Sequence, residues 1–133
     1  MVLRVFFIMA FLLGGTLSAG AADFDGSTPV YCAFNRVLEC QGKKGCESVT
    51  PEEVSLPGLV RIDFQKNTIT ATRGAETVNT EIKNLQRREG ILVLQGIEKR
   101  AWTVMISEKT GNLTLAVAGE DDGFMVFGTC MAQ

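Results

Sequence analysis

"AWTVMISEKTGNLTLAVAGEDDGFMVFGTC", Ala101 to Cys130, carries the reading of the fold. Trp102, Val104 and Ile106 stand at alternate positions, as do Leu113, Leu115 and Val117 against Thr114 and Ala116. Successive side chains of a strand point to opposite faces, so each run describes a strand with one buried side. Between the runs, "EKTG" and "GEDDG" place a glycine where a tight turn uses positive φ. Phe124, Val126 and Phe127 read as buried positions of the closing strand, and Met105, Met125 and Met131 as packing residues. Strand, turn, strand, turn, strand is an antiparallel meander.

The same pattern continues upstream. Strand signals cover Tyr31 to Leu38, Leu59 to Phe64, Thr68 to Thr72, Thr77 to Leu85 and Ile91 to Gln95, for about eight short strands in all. "QKN", "RGAE", "RREG" and "EKR" supply the turns between them. "ILVL" (Ile91–Leu94) is apolar on both parities. Val78 and Ile82 share a parity that Leu85 breaks, which predicts a bulge or bend near Asn84. "SVTPEEVS" is the one helix signal: Thr50 as N-cap, Pro51 at the first helical position and Glu53 completing a capping box. Leu56-Pro57-Gly58 ends it, leaving a short lid or plug after the first strand. The expected fold is all-β: a meander whose first strand pairs with its last, closing a small barrel, with one short helix.

The N-terminal "MVLRVFFIMAFLLGGTLSAGAA" has one basic residue, Arg4, an apolar run from Val5 to Leu13, and small residues ending in Ala19-Gly20-Ala21. Together these read as a secretory signal peptide over residues 1–22, with residues 23–133 expected to form a single domain. The apolar run is too short for a membrane-spanning helix, which takes about 20 residues, so no transmembrane anchor is expected after cleavage. The chain has 13 basic and 15 acidic residues. Losing Arg4 moves the formal charge from −2 to −3. That net acidic balance argues against a nucleic-acid partner, which calls for a basic surplus clustered on one face.

Four cysteines remain to be placed, Cys32, Cys40, Cys46 and Cys130. An exported chain meets an oxidising environment, and an even count there favours disulfides. The chain has no histidine, and the cysteine spacings match neither a structural zinc site nor a C-x-x-C redox motif. If the first and last strands are neighbours, the start of one lies opposite the end of the other. That pairs Cys32 with Cys130 and leaves Cys40 and Cys46 to clip the "QGKKG" loop. The alternative joins Cys40 to Cys130 and Cys32 to Cys46.

With "VYCAF" (Val30–Phe34) opening the first strand and "GTC" (Gly128–Cys130) in the last, the layout resembles the small periplasmic lysozyme inhibitors with a lipocalin-like barrel. More broadly it is similar to small exported bacterial proteins. The inhibitors' Ser-Gly-Ala-rich recognition stretch has no counterpart here, so the resemblance carries over no functional residue.

No catalytic residue, metal ligand or cofactor-binding residue is expected. Without histidine, general acid–base work would fall to carboxylates, lysines, Tyr31 or a cysteine. The densest acidic group, Glu120-Asp121-Asp122, lies in a turn and lacks calcium-loop spacing. Nucleotide-binding and nucleophile-elbow motifs are also missing. Trp102, the sole tryptophan, reads as core. The expected function is therefore a non-catalytic, exported or periplasmic binding module of the cell envelope. A lysozyme-inhibitor-like role or a purely structural one is the alternative. In a meander, successive turns fall at opposite ends. "QKN", "RREG" and "EKTG" share one end with a basic surplus, while "RGAE", "EKR" and "GEDDG" share the other with an acidic one. Arg87 and Arg88, or Asp121 and Asp122, are the candidate contacts for an envelope protein or polymer.

Overall fold

Strand β1 (Val30–Gln41) is the axis of the molecule, because three other strands pair with it. The computed structural model describes residues 24–133, and the expected signal peptide lies outside them. After β1 come β2 (Gly45–Val49), β3 (Leu59–Asp63), β4 (Thr68–Arg73), β5 (Glu76–Glu81), β6 (Asn84–Arg88), β7 (Ile91–Ile97), β8 (Ala101–Ser107), β9 (Asn112–Ala118) and β10 (Asp122–Ala132). All pairings are antiparallel, in the order β5-β4-β3-β1-β10-β9-β8-β7-β6, with β2 attached to β1.

The fold is an all-β antiparallel meander, but it has ten strands. The first added strand is β2, which folds back on β1 through the turn the sequence marks only as a clipped loop. The second arises because the run from Thr77 to Leu85 is divided. Its first part pairs with β4, and its continuation pairs with β7. The parity break expected near Asn84 is the place of division: Ile82 N–H donates to Asn67 O at 2.8 Å, and Lys83 N–H to Gln95 O at 2.9 Å.

This division also corrects the closed barrel. The first strand does pair with the last, through a register running from Val30 opposite Ala132 to Gln41 opposite Asp122. That ladder, however, is the middle of the sheet. The edges are β5 and β6, which are joined by the chain but not by a ladder, so the sheet curls into an open half-barrel.

The expected helix is absent from the described residues. Its capping box does form, with Thr50 N–H donating to Glu53 Oε2 at 2.6 Å and Glu53 N–H to Thr50 Oγ1 at 3.3 Å. Helix nucleation fixes several residues for a single hydrogen bond, and this segment ends before propagation begins. Ser55 already has φ +56° and Pro57 follows. Hydrogen-bonded turns result, with Leu56 N–H reaching Pro51 O at 2.8 Å.

Inward positions form one core. Val30, Cys32 and Val37 of β1 meet Val60 and Ile62 of β3, Leu92 and Leu94 of β7, Val104 and Ile106 of β8, Leu113 and Leu115 of β9, and Val126 of β10. Fully burying a side chain of this size contributes about 1.5–3 kcal/mol relative to exposure. Phe24 seals the end near the β8–β9 turn, its N–H reaching Glu108 O at 3.3 Å. Both expected disulfides are present, Cys32–Cys130 and Cys40–Cys46, each linking directly opposed residues. They are what an oxidising environment outside the cytoplasm permits.

Position parity also explains two departures. Phe127 follows the buried Val126, so it faces outward and is 37% exposed. Met105 and Met131 likewise stand on the outer face, 47% and 64% exposed.

Candidate functional site

A cavity of about 180 Å³ lies inside the curled sheet, toward the end that carries the β4–β5, β7–β8 and β9–β10 turns. Its walls follow from the alternation of the strands. Val60 of β3 and Ile69 and Ala71 of β4 form one side; Trp102 and Val104 of β8 and Leu115 and Val117 of β9 form the other. Leu56 and Pro57 cover it, so the segment expected to be a lid occupies that position as a turn rather than a helix. Arg73 Nη2 donates to Ser55 O, which ties this cover to the end of β4. Thr80 and Glu98 also border the cavity.

Trp102 is placed by its partner across the ladder. It stands opposite Gly96 in the β7–β8 register. A Cβ on Gly96 would lie 2.9 Å from the indole nitrogen and closer still to the ring carbons. Only glycine leaves room for the ring to lie against β7 at this point. In that position Trp102 Nε1 is buried and has no hydrogen-bond partner. A buried donor left unsatisfied costs about 1–3 kcal/mol, so native folds rarely carry one without a purpose or a missing partner.

Trp102 therefore packs against the core, as its sequence pattern implies, and also lines the cavity, which that pattern does not reveal. Recognising the second role requires knowing that Gly96 is its cross-strand neighbour. A lone glycine after "ILVLQ" suggests a close approach of some group, but not which one.

The four charged candidates fall at opposite ends, as the meander requires. Arg87 Nε meets Glu108 Oε1 at 2.8 Å. Asp25 lies close enough to feel the Arg87 charge, although hydrogen bonding by Ser27 is the main cause that holds its carboxyl below the usual range. Arg88 is exposed and has no ion pair or side-chain hydrogen bond among the described residues. At the other end, Asp122 Oδ2 accepts from Arg100 Nη2 at 2.7 Å, and Arg100 also stacks over Phe124, 5.1 Å from the ring centre. Asp121 is exposed; its backbone carbonyl accepts from Gly42 N–H at 3.2 Å.

The β1–β2 turn brings Lys43 and Lys44 to face Glu120, Asp121 and Asp122 across an open cleft, two positive charges against three negative. Because β2 is invisible in the sequence pattern, so is this local cancellation. Asp63, buried near the opposite end, accepts from Lys66 N–H at 3.0 Å and from Arg61 at 3.2 Å. The Lys66 N–H is the main cause holding its carboxyl below the usual range.

Among the described residues, no group of three or more Cys, Asp or Glu side chains is arranged to hold a metal ion. No protein-family model matches this chain, and neither a curated protein nor a solved structure matches it.

Proposed function

We propose that the protein is a non-catalytic exported binding module of the cell envelope that takes a small apolar molecule into the cavity beneath Leu56 and Pro57. The observation that carries this reading is a mostly apolar cavity of about 180 Å³ with Trp102 in its wall and Thr80 and Glu98 at its border. Ligand sites commonly combine an apolar lining with a few polar groups that fix orientation. An apolar cavity of roughly 150 Å³ is enough to admit benzene, so this one suits a molecule of roughly six to ten non-hydrogen atoms. The chain's single tryptophan sits in the wall, which makes its fluorescence a direct reporter.

The test is titration of the folded domain with small cyclic hydrocarbons and ketones. Saturable change in Trp102 emission is expected, with Kd on the order of 0.1–1 mM. Ala71→Leu, which fills the cavity from β4, should abolish that change while leaving the circular dichroism spectrum intact. Unchanged emission across the whole panel would overturn the reading.

A second reading rests on a different observation. Lys66, Arg88 and Lys109, at turns of one end, form no ion pair among the described residues. These three unpaired positive charges outnumber the one unpaired acid of the same turns, Glu89, and that surplus supports steering of an anionic envelope polymer to that end.

A further inference from the structure

Strands β7 to β10 differ from the rest of the sheet in charge. Each of β1 to β6 carries at least one Asp, Glu, Lys or Arg, whereas β7 to β10 carry only Asp122, which has the inward parity of Val126. Their outward positions hold no charge at all, although 21% of the chain is charged. Ile97, Met105, Phe127 and Met131 stand exposed there. An antiparallel sheet with one wet face alternates apolar-in with polar-out, so strands without charge on either face have the composition of a sheet covered on both sides.

The relief of this face is complementary to itself. Ala101, Ala118 and Gly123 form one outward row across β8, β9 and β10, and their small side chains leave a shallow hollow of about 280 Å³. The row that raises Met105 and Phe127 lies four residues away along the strands, with Ala116 in the row midway. We infer that the protein forms a weak symmetric homodimer through the outer face of β7–β10, its two-fold axis lying in the interface, perpendicular to the strands and over Ala116. About that axis Phe127 of each copy falls over Gly123 of the other and Met105 over Ala101, so the ridge of each sheet seats in the hollow of its mate, and every contact occurs twice. Stacking a face without charge on its own copy buries no ion and opposes no like charges. Sheets pack face to face in this way about 10 Å apart.

Area sets the strength. Four strands about 4.8 Å apart, each with about seven residues rising about 3.3 Å, give roughly 450 Å² of face in projection. Stable interfaces bury about 800 Å² per partner, so a reversible dimer with Kd on the order of 100 µM is expected. A lipid surface fits this face less well. The turns that join β7 through β10, Glu98-Lys99-Arg100, Glu108-Lys109 and Glu120-Asp121-Asp122, hold five acids against three bases, whereas apolar faces that lie on membranes are commonly rimmed with Lys and Arg.

Sedimentation equilibrium of the folded, oxidised domain, from about 10 µM to about 1 mM, should show a reversible monomer–dimer equilibrium. Ala116 is exposed, so a longer side chain there reaches solvent in the monomer. Ala116→Lys and Ala116→Glu each set like charges across the axis and should weaken association at least about tenfold. An equimolar mixture of the two variants should restore it, because Lys then meets Glu, and that recovery also shows that both variants fold. Asn79→Lys, on the exposed β5, should leave the parent's dissociation constant unchanged. A parent that is monomeric at about 1 mM overturns the dimer, as does self-association that neither Ala116 variant weakens. Loss in both variants without recovery in the mixture overturns the two-fold arrangement. A monomeric parent that binds phosphatidylcholine vesicles, where neither Ala116 variant does, makes the face a lipid-binding one and the dimer wrong.

Discussion

The two disulfides are expected to differ in what their removal costs, and the difference follows from the chain between them. Cys32 and Cys130 are 98 residues apart, whereas Cys40 and Cys46 are 6 apart. In the chain-entropy account, a crosslink restricts the unfolded chain by an amount that grows with the logarithm of the loop it closes. Those separations give about 4.7 kcal/mol for the long bridge and about 2.2 kcal/mol for the short clip at 25 °C. Packing acts in the same direction. Cys32 and Cys130 are 0% and 2% exposed, so their loss also empties core volume, while Cys46 is exposed. Paired substitutions, Cys32→Ala with Cys130→Ala and Cys40→Ala with Cys46→Ala, isolate the two contributions. Urea unfolding followed by circular dichroism should show at least twice the loss of stability for the long bridge, with a steeper slope because the released chain unfolds to a less compact state. A domain with only 5–6 kcal/mol in hand would be close to unfolded without it. Equal costs, or a larger cost for the short clip, would refute the reasoning.

Three further outcomes are expected. Gly111→Ala should destabilise by about 2–4 kcal/mol in thermal or urea unfolding, combining a backbone at φ +71° with a methyl 2.6 Å from Phe24 Cζ and 2.7 Å from Cys130 O; a loss under about 1 kcal/mol would mean that this end is not tightly packed. Asp63 has a folded pKa held down by Lys66 N–H and by Arg61, so its stabilising contribution is complete above the unfolded value near 3.9 and disappears as pH falls through the lower folded value; Asp63→Asn should flatten the acid limb of the stability profile below about pH 4, and an unchanged limb would assign the effect elsewhere. Charge reversal at Arg87 and Arg88 should slow association with an anionic polysaccharide at low salt and not at high salt, whereas reversal at Asp121 and Asp122 should not slow it; identical on-rates for the parent and the arginine variant would remove the steering reading.

The legible parts of the fold are those encoded locally. Alternation along β3, β8 and β9 marks their buried faces, and the opposition of first and last strands is enough to pair Cys32 with Cys130. β2 is different in kind. "GCESV" has no apolar alternation and is mostly exposed, so its extended state comes from pairing with β1 and from the Cys40–Cys46 link rather than from its own pattern. The capping box of Thr50 and Glu53 is legible and forms, but local hydrogen bonds do not make a helix in a segment this short. The open seam depends on one stretch dividing its pairing between β4 and β7, a choice made by the whole sheet. The cavity is hidden for a similar reason. Its lining residues look like ordinary core positions in one dimension, and only the curl of the sheet leaves space between them.

The central β1–β10 ladder also dictates an order of events. A chain that emerges N-terminus first presents Cys32, Cys40 and Cys46 together, well before Cys130 exists as a partner. Until β10 is released, β3, β4 and β5 have only β1 to build on, and β6 through β9 form a separate meander with no ladder to join the two. Contacts of such long sequence separation form late, because the intervening loop must close first. Throughout that interval an oxidant acting on Cys32 finds only Cys40 and Cys46, both wrong, so native pairing demands either delayed oxidation or a catalyst that reshuffles the bond once the last strand arrives.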